Sequence, residues 1–317
     1  MPRLHCIRQI FFLACLLTSC KNAIGQEDLR IPSTISYKPG RYGMLCISAQ
    51  LSSSVTARFV IDTGCNWSLI SDTIKKKMRL PSKPYPNNEG KPVFVAGIEM
   101  RTTVTPFLQI GALQVPNYAF ILYPPRTLEH ILRGKEDGVL GDEYLGHFAM
   151  HVEPARKQIS FWLGGNLTTE ELKMMGMEDA DALPVSGQAG RYTIMLRLND
   201  EETVPMALDT GSATTNMPSD WVERLHLKHN KERQRASTVF GVTYYKTALL
   251  PSMTLGKIIR RNLTVKYSDL NDKRGYPPAI GMDILSHFRF ILDIPAKKLY
   301  LKPIQDAAKP NKINAKP

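Results

Sequence analysis

Residues 57–64 read Ala-Arg-Phe-Val-Ile-Asp-Thr-Gly, and residues 204–211 read Val-Pro-Met-Ala-Leu-Asp-Thr-Gly. In each stretch a short apolar run, typical of a buried strand, leads into the same tripeptide. The first copy is Asp62-Thr63-Gly64 and the second is Asp209-Thr210-Gly211. One copy alone is weak evidence, because the tripeptide occurs by chance in roughly one chain in twenty of this length. Two copies after similar strands predict a pair of carboxylates that act together.

The sequence around the two tripeptides also corresponds. Gly40-Arg41-Tyr42 precedes the first copy, and Gly190-Arg191-Tyr192 precedes the second. Gly138-Val139-Leu140-Gly141 follows the first copy, and Pro278-Ala279-Ile280-Gly281 follows the second. Matches in the same order along the chain indicate an internal repeat. Each half is therefore predicted to hold a hairpin that delivers the Asp, a second hairpin, and a short helix.

Helix-capping residues lie at corresponding places in the two halves. Ser71-Asp72 and Ser219-Asp220 are both typical of helix starts, and Glu223 stands where it would complete a capping box with Asp220. Thr168 to Met175 is predicted to form a further helix between the halves.

The residue type in the turn distinguishes two interpretations. A purely structural turn needs only a side chain that caps it and a glycine with positive φ, and Asn or Ser would serve as well as Asp. Here both halves place a full carboxylate after a strongly apolar strand, which is costly unless the charge is satisfied or used. Two facing carboxylates share one proton, so that one acts as base and the other as acid. We therefore predict a pair of carboxylates that share a proton, rather than two purely structural turns.

The motif order resembles that of the aspartic peptidases: apolar-apolar-Asp-Thr-Gly, a flap hairpin, then apolar-apolar-Gly before a short helix, all present twice. The resemblance implies an all-β protein with two homologous retropepsin-like (pepsin-like) lobes and an active-site cleft between them. The expected N-terminal lobe spans residues 31–165, the linker 166–189 and the C-terminal lobe 190–303. The implied function is aspartic endopeptidase, a hydrolase of peptide bonds. The alternative is an inactive peptide-binding or protein-binding module on the same scaffold.

Residue roles follow from the resemblance, position by position. Asp62 and Asp209 would be the catalytic pair that activates a water. The expected supporting residues are Thr63, Gly64, Thr210, Gly211 and Ser212. The expected flap and substrate-binding residues are Gly97, Gly241 and Tyr244, although Tyr244 could instead serve cross-strand packing. The partner would be an extended peptide or protein, and we expect a monomer with no cofactor and no metal.

Two departures from the family pattern lie beside the first Asp. Cys65 follows the first tripeptide, where the family usually has Ser or Ala, whereas the second copy has Ser212. By resemblance, Ser212 would hydrogen-bond the outer oxygen of Asp209, and a thiol would do this poorly for Asp62. The closing segment of the first half also adds the acids Asp142 and Glu143. These departures predict that the two aspartates differ electrostatically.

The N-terminus is typical of an exported bacterial protein. Residues 1–19 contain basic residues, a short apolar run and no acid, as in a signal peptide. Leu17-Thr18-Ser19-Cys20 fits a lipobox, which predicts acylation of Cys20 and a membrane-anchored extracytoplasmic lipoprotein with a tether at residues 20–30. An ordinary secreted protein is the alternative. Residues 304–317 are predicted to form a flexible basic tail.

Charge and cysteine content narrow the remaining possibilities. The formal net charge is +12, but the basic residues are scattered and no nucleic-acid-binding motif is present, so nucleic acid is not an expected partner. Cys46 and Cys65 could form a disulfide or remain free thiols. His147 and His151 would lie about 13 Å apart on a strand, too far to chelate one metal ion.

Overall fold

The computed structural model describes residues 30–40, 43–87, 89–95, 98–123, 136–238, 241–268 and 277–304. The fold is all-β, as predicted, with a few short helices. The strands of the first half are β1 Ser33–Ser36, β2 Lys38–Pro39, β3 Leu45–Gln50, β4 Thr56–Ile61, β5 Leu69–Ser71, β6 Lys83–Pro84, β7 Phe94–Val95, β8 Ile98–Glu99, β9 Arg101–Ile110, β10 Leu113–Tyr123, β11 Gly138–Leu140, β12 Phe148–Glu153 and β13 Gln158–Leu163.

The remaining strands follow the helix between the two halves. They are β14 Asp181–Pro184, β15 Ser186–Gln188, β16 Arg191–Leu198, β17 Glu202–Leu208, β18 Asn216–Met217, β19 Lys228–Thr238, β20 Gly241–Leu255, β21 Ile258–Tyr267, β22 Ala279–Ile280, β23 Phe288–Asp293 and β24 Lys298–Pro303. The helices in the described residues are α1 Asp72–Lys77, α2 Asp142–Leu145, α3 Thr169–Met174, α4 Ser219–Arg224 and α5 Met282–Leu285.

Each half contributes one eight-stranded sheet. The first sheet has the order β2-β3-β4-β11-β5-β10-β9-β6, and the second has the order β15-β16-β17-β22-β18-β21-β20-β19. In both sheets a short late strand, β11 or β22, inserts beside the strand that delivers the Asp and runs parallel to it. The closing segments of the sequence therefore lie directly behind the two Asp turns.

A six-stranded sheet takes strands from both halves, in the order β1-β13-β12-β23-β24-β14. The halves meet where β12 pairs antiparallel with β23, with His151 opposite Ile291. The two halves therefore share one sheet, and the main core cluster takes residues from both.

Alternation of buried and exposed side chains explains why these segments form strands. In β16, Tyr192, Ile194, Leu196 and Leu198 are buried while the residues between them are more exposed. The main core runs through both halves and includes stacked Phe59 and Phe120 with ring centroids 5.5 Å apart. Burial of these large side chains is the main stabilising contribution to the fold.

The helix predictions are confirmed in two cases and wrong in one detail. Ser71 caps α1 by accepting a hydrogen bond from the Ile74 N–H at 3.3 Å. Thr168 and Glu171 form a reciprocal capping box at α3. The capping box of Asp220 and Glu223 does not form, because α4 starts two residues earlier than that box requires, with Pro218 at the N-cap and no side-chain cap.

The segment at residues 166–189, predicted as a linker, contains more than its helix. Strand β14 pairs with β24 at the edge of the six-stranded sheet, and β15 pairs with β16 in the second sheet. Arg30, the last residue of the predicted tether, is bound to Glu171 of α3, with 2.7 Å between Nη2 and Oε2. The predicted linker therefore contributes one strand to the six-stranded sheet and one to the second eight-stranded sheet, and it is not a simple loop.

Candidate active site

The two Asp-Thr-Gly turns begin where β4 and β17 end. The Asp62 N–H donates to the Leu140 carbonyl at 3.0 Å, and the Asp209 N–H donates to the Ile280 carbonyl at 3.1 Å. These bonds hold each turn against the inserted strand of its own sheet. The same local sequence therefore yields the same local backbone in both halves.

Four hydrogen bonds cross between the turns through the two threonines. The N–H of Thr63 donates to Oγ1 of Thr210 at 3.1 Å, and the reverse bond has the same length. Each hydroxyl then donates to the backbone of the opposite strand, Thr63 to Leu208 O and Thr210 to Ile61 O, both at 2.8 Å. Both threonines are only 1% exposed. This buried and fully satisfied network fixes one turn relative to the other.

The crossing places each carboxyl group against the glycine of the other turn. A Cβ built on Gly64 would lie 2.8 Å from Cγ of Asp209, and one built on Gly211 would clash with the carboxyl group of Asp62. Only glycine allows this approach at either position. The Gly64 N–H also donates to Oδ1 of Asp62 at 2.8 Å. The two aspartates predicted from sequence are thus brought together as one pair.

The two carboxyl groups lie in unequal electrostatic environments. Burial and the nearby charge of Asp209 raise the pKa of Asp62 well above its usual range. Burial also raises the pKa of Asp209, but hydrogen bonds from Asp62 and from the Gly211 and Ser212 N–H groups oppose that rise. The two carboxyl groups therefore titrate as one coupled pair.

A second layer of matched contacts lies behind the turns. A Cβ on Gly141 would meet the backbone of residues 65–67, and a Cβ on Gly281 would meet the backbone of Thr214, so both glycines pack closely behind the turns. The Gly141 N–H donates to Oγ of Ser68, and the Gly281 N–H donates to Oγ1 of Thr215, both at 3.2 Å.

Two acids complete this layer, and sequence reasoning missed their role. Glu143 accepts from the Ser68 N–H at 2.5 Å, and Asp283 accepts from the Thr215 N–H at 2.9 Å. Burial raises the pKa of Glu143 to about 7 and also raises that of Asp283. The available signal was the equivalent spacing of the two acids after Gly141 and Gly281.

The prediction about Ser212 and Cys65 is wrong in its geometry. Ser212 Oγ donates to the Thr214 carbonyl at 2.9 Å, and Cys65 Sγ donates to the Trp67 carbonyl at 3.1 Å. Neither side chain hydrogen-bonds an aspartate carboxyl group. Each instead closes its own turn, because a carbonyl two residues further on lies within easy reach of a short side chain. The thiol and the hydroxyl therefore play equivalent local roles.

A contact without a counterpart in the described residues ties the first turn to the second half. Tyr192 donates a hydrogen bond to Oδ1 of Asp142. Gly190, with φ of +70°, packs so closely on Cys65 and Asn66 that a Cβ there would clash. Burial raises the pKa of Asp142, opposed by the bond from Tyr192. The entry to β16 thus braces the first turn from across the molecule.

Residues 194–284 match the family model described as aspartyl protease. The match includes Asp209 and supports the aspartic peptidase superfamily for this chain. Among solved structures, the chain is similar to a retropepsin-like aspartic protease from Rickettsia conorii, with 15% identity over 42% of this chain and 96% of that chain and a TM-score of 0.30. No curated protein matches the chain. Asp62 lies outside the matched segment, so its equivalence to Asp209 rests on the hydrogen bonds above.

Two of the three predicted flap residues lie in the described part of the chain. Gly97 lies outside the described residues, between the two-residue strands β7 and β8. Gly241 begins β20 and pairs with Thr238, next to the turn of the long β19–β20 hairpin. Tyr244 follows in β20 and is 56% exposed. The structure therefore places Gly241 and Tyr244 on one hairpin.

The other residues considered in the sequence analysis are the cysteines, two histidines and the terminal segments. Cys46 is buried and Cys65 partly buried, and both are free thiols. His147 lies in the turn before β12, and His151 lies on β12 with burial lowering its pKa to about 4. Cys20, the signal segment and residues 305–317 lie outside the described residues. In the part of the chain that the structure describes, no helix is long and apolar enough to span a membrane.

Proposed function

We propose that this protein is an aspartic endopeptidase in which Asp62 and Asp209 activate a water molecule to hydrolyse peptide bonds. The observation that carries the proposal is the reciprocal Thr63–Thr210 hydrogen bonding, which brings two carboxyl groups from distant parts of the chain into one site. A structural turn has no need of a second carboxyl group. A catalytic pair that shares one proton requires two carboxyl groups.

The pair shares one proton, which we place on Asp62 in the proposed steps. Asp209, the charged member, takes a proton from water as the water oxygen bonds to the scissile carbonyl carbon. Asp62 gives its proton to the carbonyl oxygen, so that a neutral gem-diol forms. Transfer of the proton on Asp209 to the peptide nitrogen, with return of a diol proton to Asp62, breaks the C–N bond. The pair is then in its starting state, and no covalent intermediate is needed.

The rest of the proposal concerns architecture and substrate. We propose two homologous lobes that enclose a cleft, with the β7–β8 and β19–β20 hairpins as flaps over an extended peptide. Oδ1 of Asp209 is buried and has no hydrogen-bond partner in the described residues. That atom is suited to accept a hydrogen bond from the attacking water.

The test is cleavage of a diverse peptide mixture at pH values from 3 to 8, with mass-spectrometric readout of new termini. The wild-type protein is expected to produce new termini, and the Asp62→Asn/Asp209→Asn double variant is expected to produce none. Absence of cleavage by a folded wild-type protein at every pH would instead favour the inactive binding module.

We also propose that the protein is a monomer anchored outside the cytoplasm through lipidated Cys20, on the basis of the Leu17-Thr18-Ser19-Cys20 sequence. In a bacterial host, wild type should incorporate labelled fatty acid and fractionate with membranes, whereas Cys20→Ser should do neither. Unlabelled, soluble wild-type protein would support ordinary secretion.

A further inference from the structure

One face of the second sheet carries a row of polar side chains beside the Asp209 turn. The registers place Asn216 opposite Lys266, Lys266 opposite Thr247, and Thr247 opposite Asn230. Paired residues on neighbouring strands point to the same face. The adjacent residues Met217, Val265 and Ala248 are buried in the core. The polar row therefore faces away from the core, across strands β18, β21, β20 and β19.

This row begins at the Asp209 turn. Asn216 follows Asp209 by seven residues, and the Lys266 N–H donates to the Thr215 carbonyl at 3.0 Å. Thr215 is the residue whose hydroxyl and N–H brace the turn through Gly281 and Asp283. A peptide held at the aspartates and extended along the sheet would therefore meet Lys266 within a few residues of the scissile bond.

Lys266 is a cation without an acidic partner. Its Nζ lies 4.0 Å from the centroid of the Tyr245 ring, and it forms no ion pair with any residue in the described ranges. Partial burial lowers its pKa, against the attraction of Asp283. The aromatic ring holds the ammonium group in place without neutralising it.

The surrounding hairpin is also basic, with Glu232 as the acid on its described strands. No ion pair is present among the described residues for the cationic side chains of β19 and β20, which include Lys228, Arg233, Arg235 and Lys246. The segment around the β7–β8 hairpin differs, because Lys91 pairs with Glu89 at 3.0 Å and Arg101 pairs with Glu99 at 3.3 Å. An open groove of about 320 Å³, lined in part by Lys228, Thr247 and Thr264, continues the polar row.

We propose that Lys266 selects peptide substrates that carry an acidic side chain near the scissile bond, with the basic β19–β20 hairpin reinforcing this preference. The inference rests on the proposed peptidase function and specifies its substrate class. A carboxylate on the peptide would supply the missing partner of Lys266, and the Tyr245 ring would orient the ammonium group toward it.

The test measures cleavage and binding separately, with matched peptides. Extended ten-residue peptides are prepared as Glu and Gln pairs that differ at one position. Cleavage of each pair is measured with wild type, Lys266→Met and Lys266→Arg. Binding to the same pairs on an array is measured with the Asp62→Asn/Asp209→Asn variant, with and without Lys266→Met. Lys91→Met, which removes an ion-paired lysine near the other hairpin, is the matched control.

Wild type should favour Glu over Gln at one peptide position by about fivefold or more in kcat/KM. Lys266→Met should abolish the preference while still cleaving the Gln peptides, and Lys266→Arg and Lys91→Met should keep it. The preference should also vanish below about pH 4, where a peptide glutamate is protonated.

The outcomes separate the two proposals. Equal cleavage and binding of Glu and Gln peptides by wild type, or an unchanged preference in Lys266→Met, would overturn the role of Lys266 and leave the peptidase function intact. Absence of cleavage together with a Glu preference in binding that Lys266→Met removes would overturn the peptidase function and support the acidic site.

Discussion

The two Asp turns share matched threonine and glycine contacts, whereas the two hairpins in the same halves differ in length and charge. Thr63 and Thr210 exchange equal hydrogen bonds, and Gly141 and Gly281 pack behind them in the same way. The β7–β8 hairpin has two-residue strands, but β19 and β20 have 11 and 15 residues. A shared-proton pair requires two matched supports, whereas a peptide with a direction and a sequence presents different surfaces to the two sides.

Substitution of the two carboxyl groups should have the largest effect on activity. Asp62→Asn and Asp209→Asn should each lower kcat by about a thousandfold or more, because an amide can neither share the proton nor take one from water. Both variants should keep wild-type circular dichroism and unfolding midpoints near those of wild type. A single variant with near-normal cleavage of the same peptide would show that the two turns are not chemically equivalent halves of one site.

The threonines test whether the supports contribute equally. Thr63→Val and Thr210→Val each leave one backbone N–H and one carbonyl unpaired in a buried site, which should cost about 2–4 kcal/mol of unfolding free energy. The two losses, measured by urea denaturation, should agree within about 0.5 kcal/mol. The matched control is Thr→Ser at each position, which keeps the hydroxyl. Clearly unequal losses from the two valine variants would contradict the equivalence.

Glu143, which lies behind the first turn, allows the contribution of that support to stability to be measured as a function of pH. Its pKa in the folded protein is raised to about 7, above the ordinary value for Glu, so the protonated form stabilises the fold. That contribution is complete below about pH 4.5 and is lost as the pH rises through 7. The Glu143→Gln variant should lack this loss, which amounts to about 2–3 kcal/mol. Urea denaturation at pH 5, 6, 7 and 8 measures it, and parallel curves for wild type and Glu143→Gln would refute the assignment.

Cys65→Ser should have the smallest effect, because neither Cys65 nor Ser212 hydrogen-bonds an aspartate carboxyl group. The pH profile of peptide cleavage should move by less than about 0.3 units. A new hydrogen bond to a charged carboxylate contributes about 1.5–3 kcal/mol, which corresponds to a shift of about one unit or more. A shift of that size would show that residue 65 does tune Asp62.

The site residues that could be predicted were those with a counterpart in the other half of the sequence. Comparison of the two halves of the sequence predicted both aspartates, both threonines and the glycines around them, because each position could be checked against its counterpart. The direction of the Ser212 hydroxyl could not be read, since a short side chain has both a carboxylate and a backbone carbonyl within reach. The Tyr192–Asp142 bond joins residues 50 positions apart and belongs to no motif.

In the fold, strand positions could be predicted from the sequence, but some strand pairings could not. Strand positions around the Asp turns followed from apolar runs and turn residues. The pairing of β14 with β24 depended on the exposed edge of a sheet that only the tertiary structure creates. Likewise, the absence of an ion pair at Lys266 among the described residues depends on the registers of β18, β20 and β21, and composition alone does not fix a register.

The most direct test of the shared-proton pair is the dependence of kcat/KM on pH, measured with a cleavable peptide that has no titratable side chains and blocked termini. The account predicts a bell-shaped profile with two apparent pKa values that belong to the pair, and loss of activity on both sides. The bell should disappear in both Asp62→Asn and Asp209→Asn. A profile with a single limb, or a bell that persists in either variant, would contradict catalysis by two carboxyl groups that share one proton.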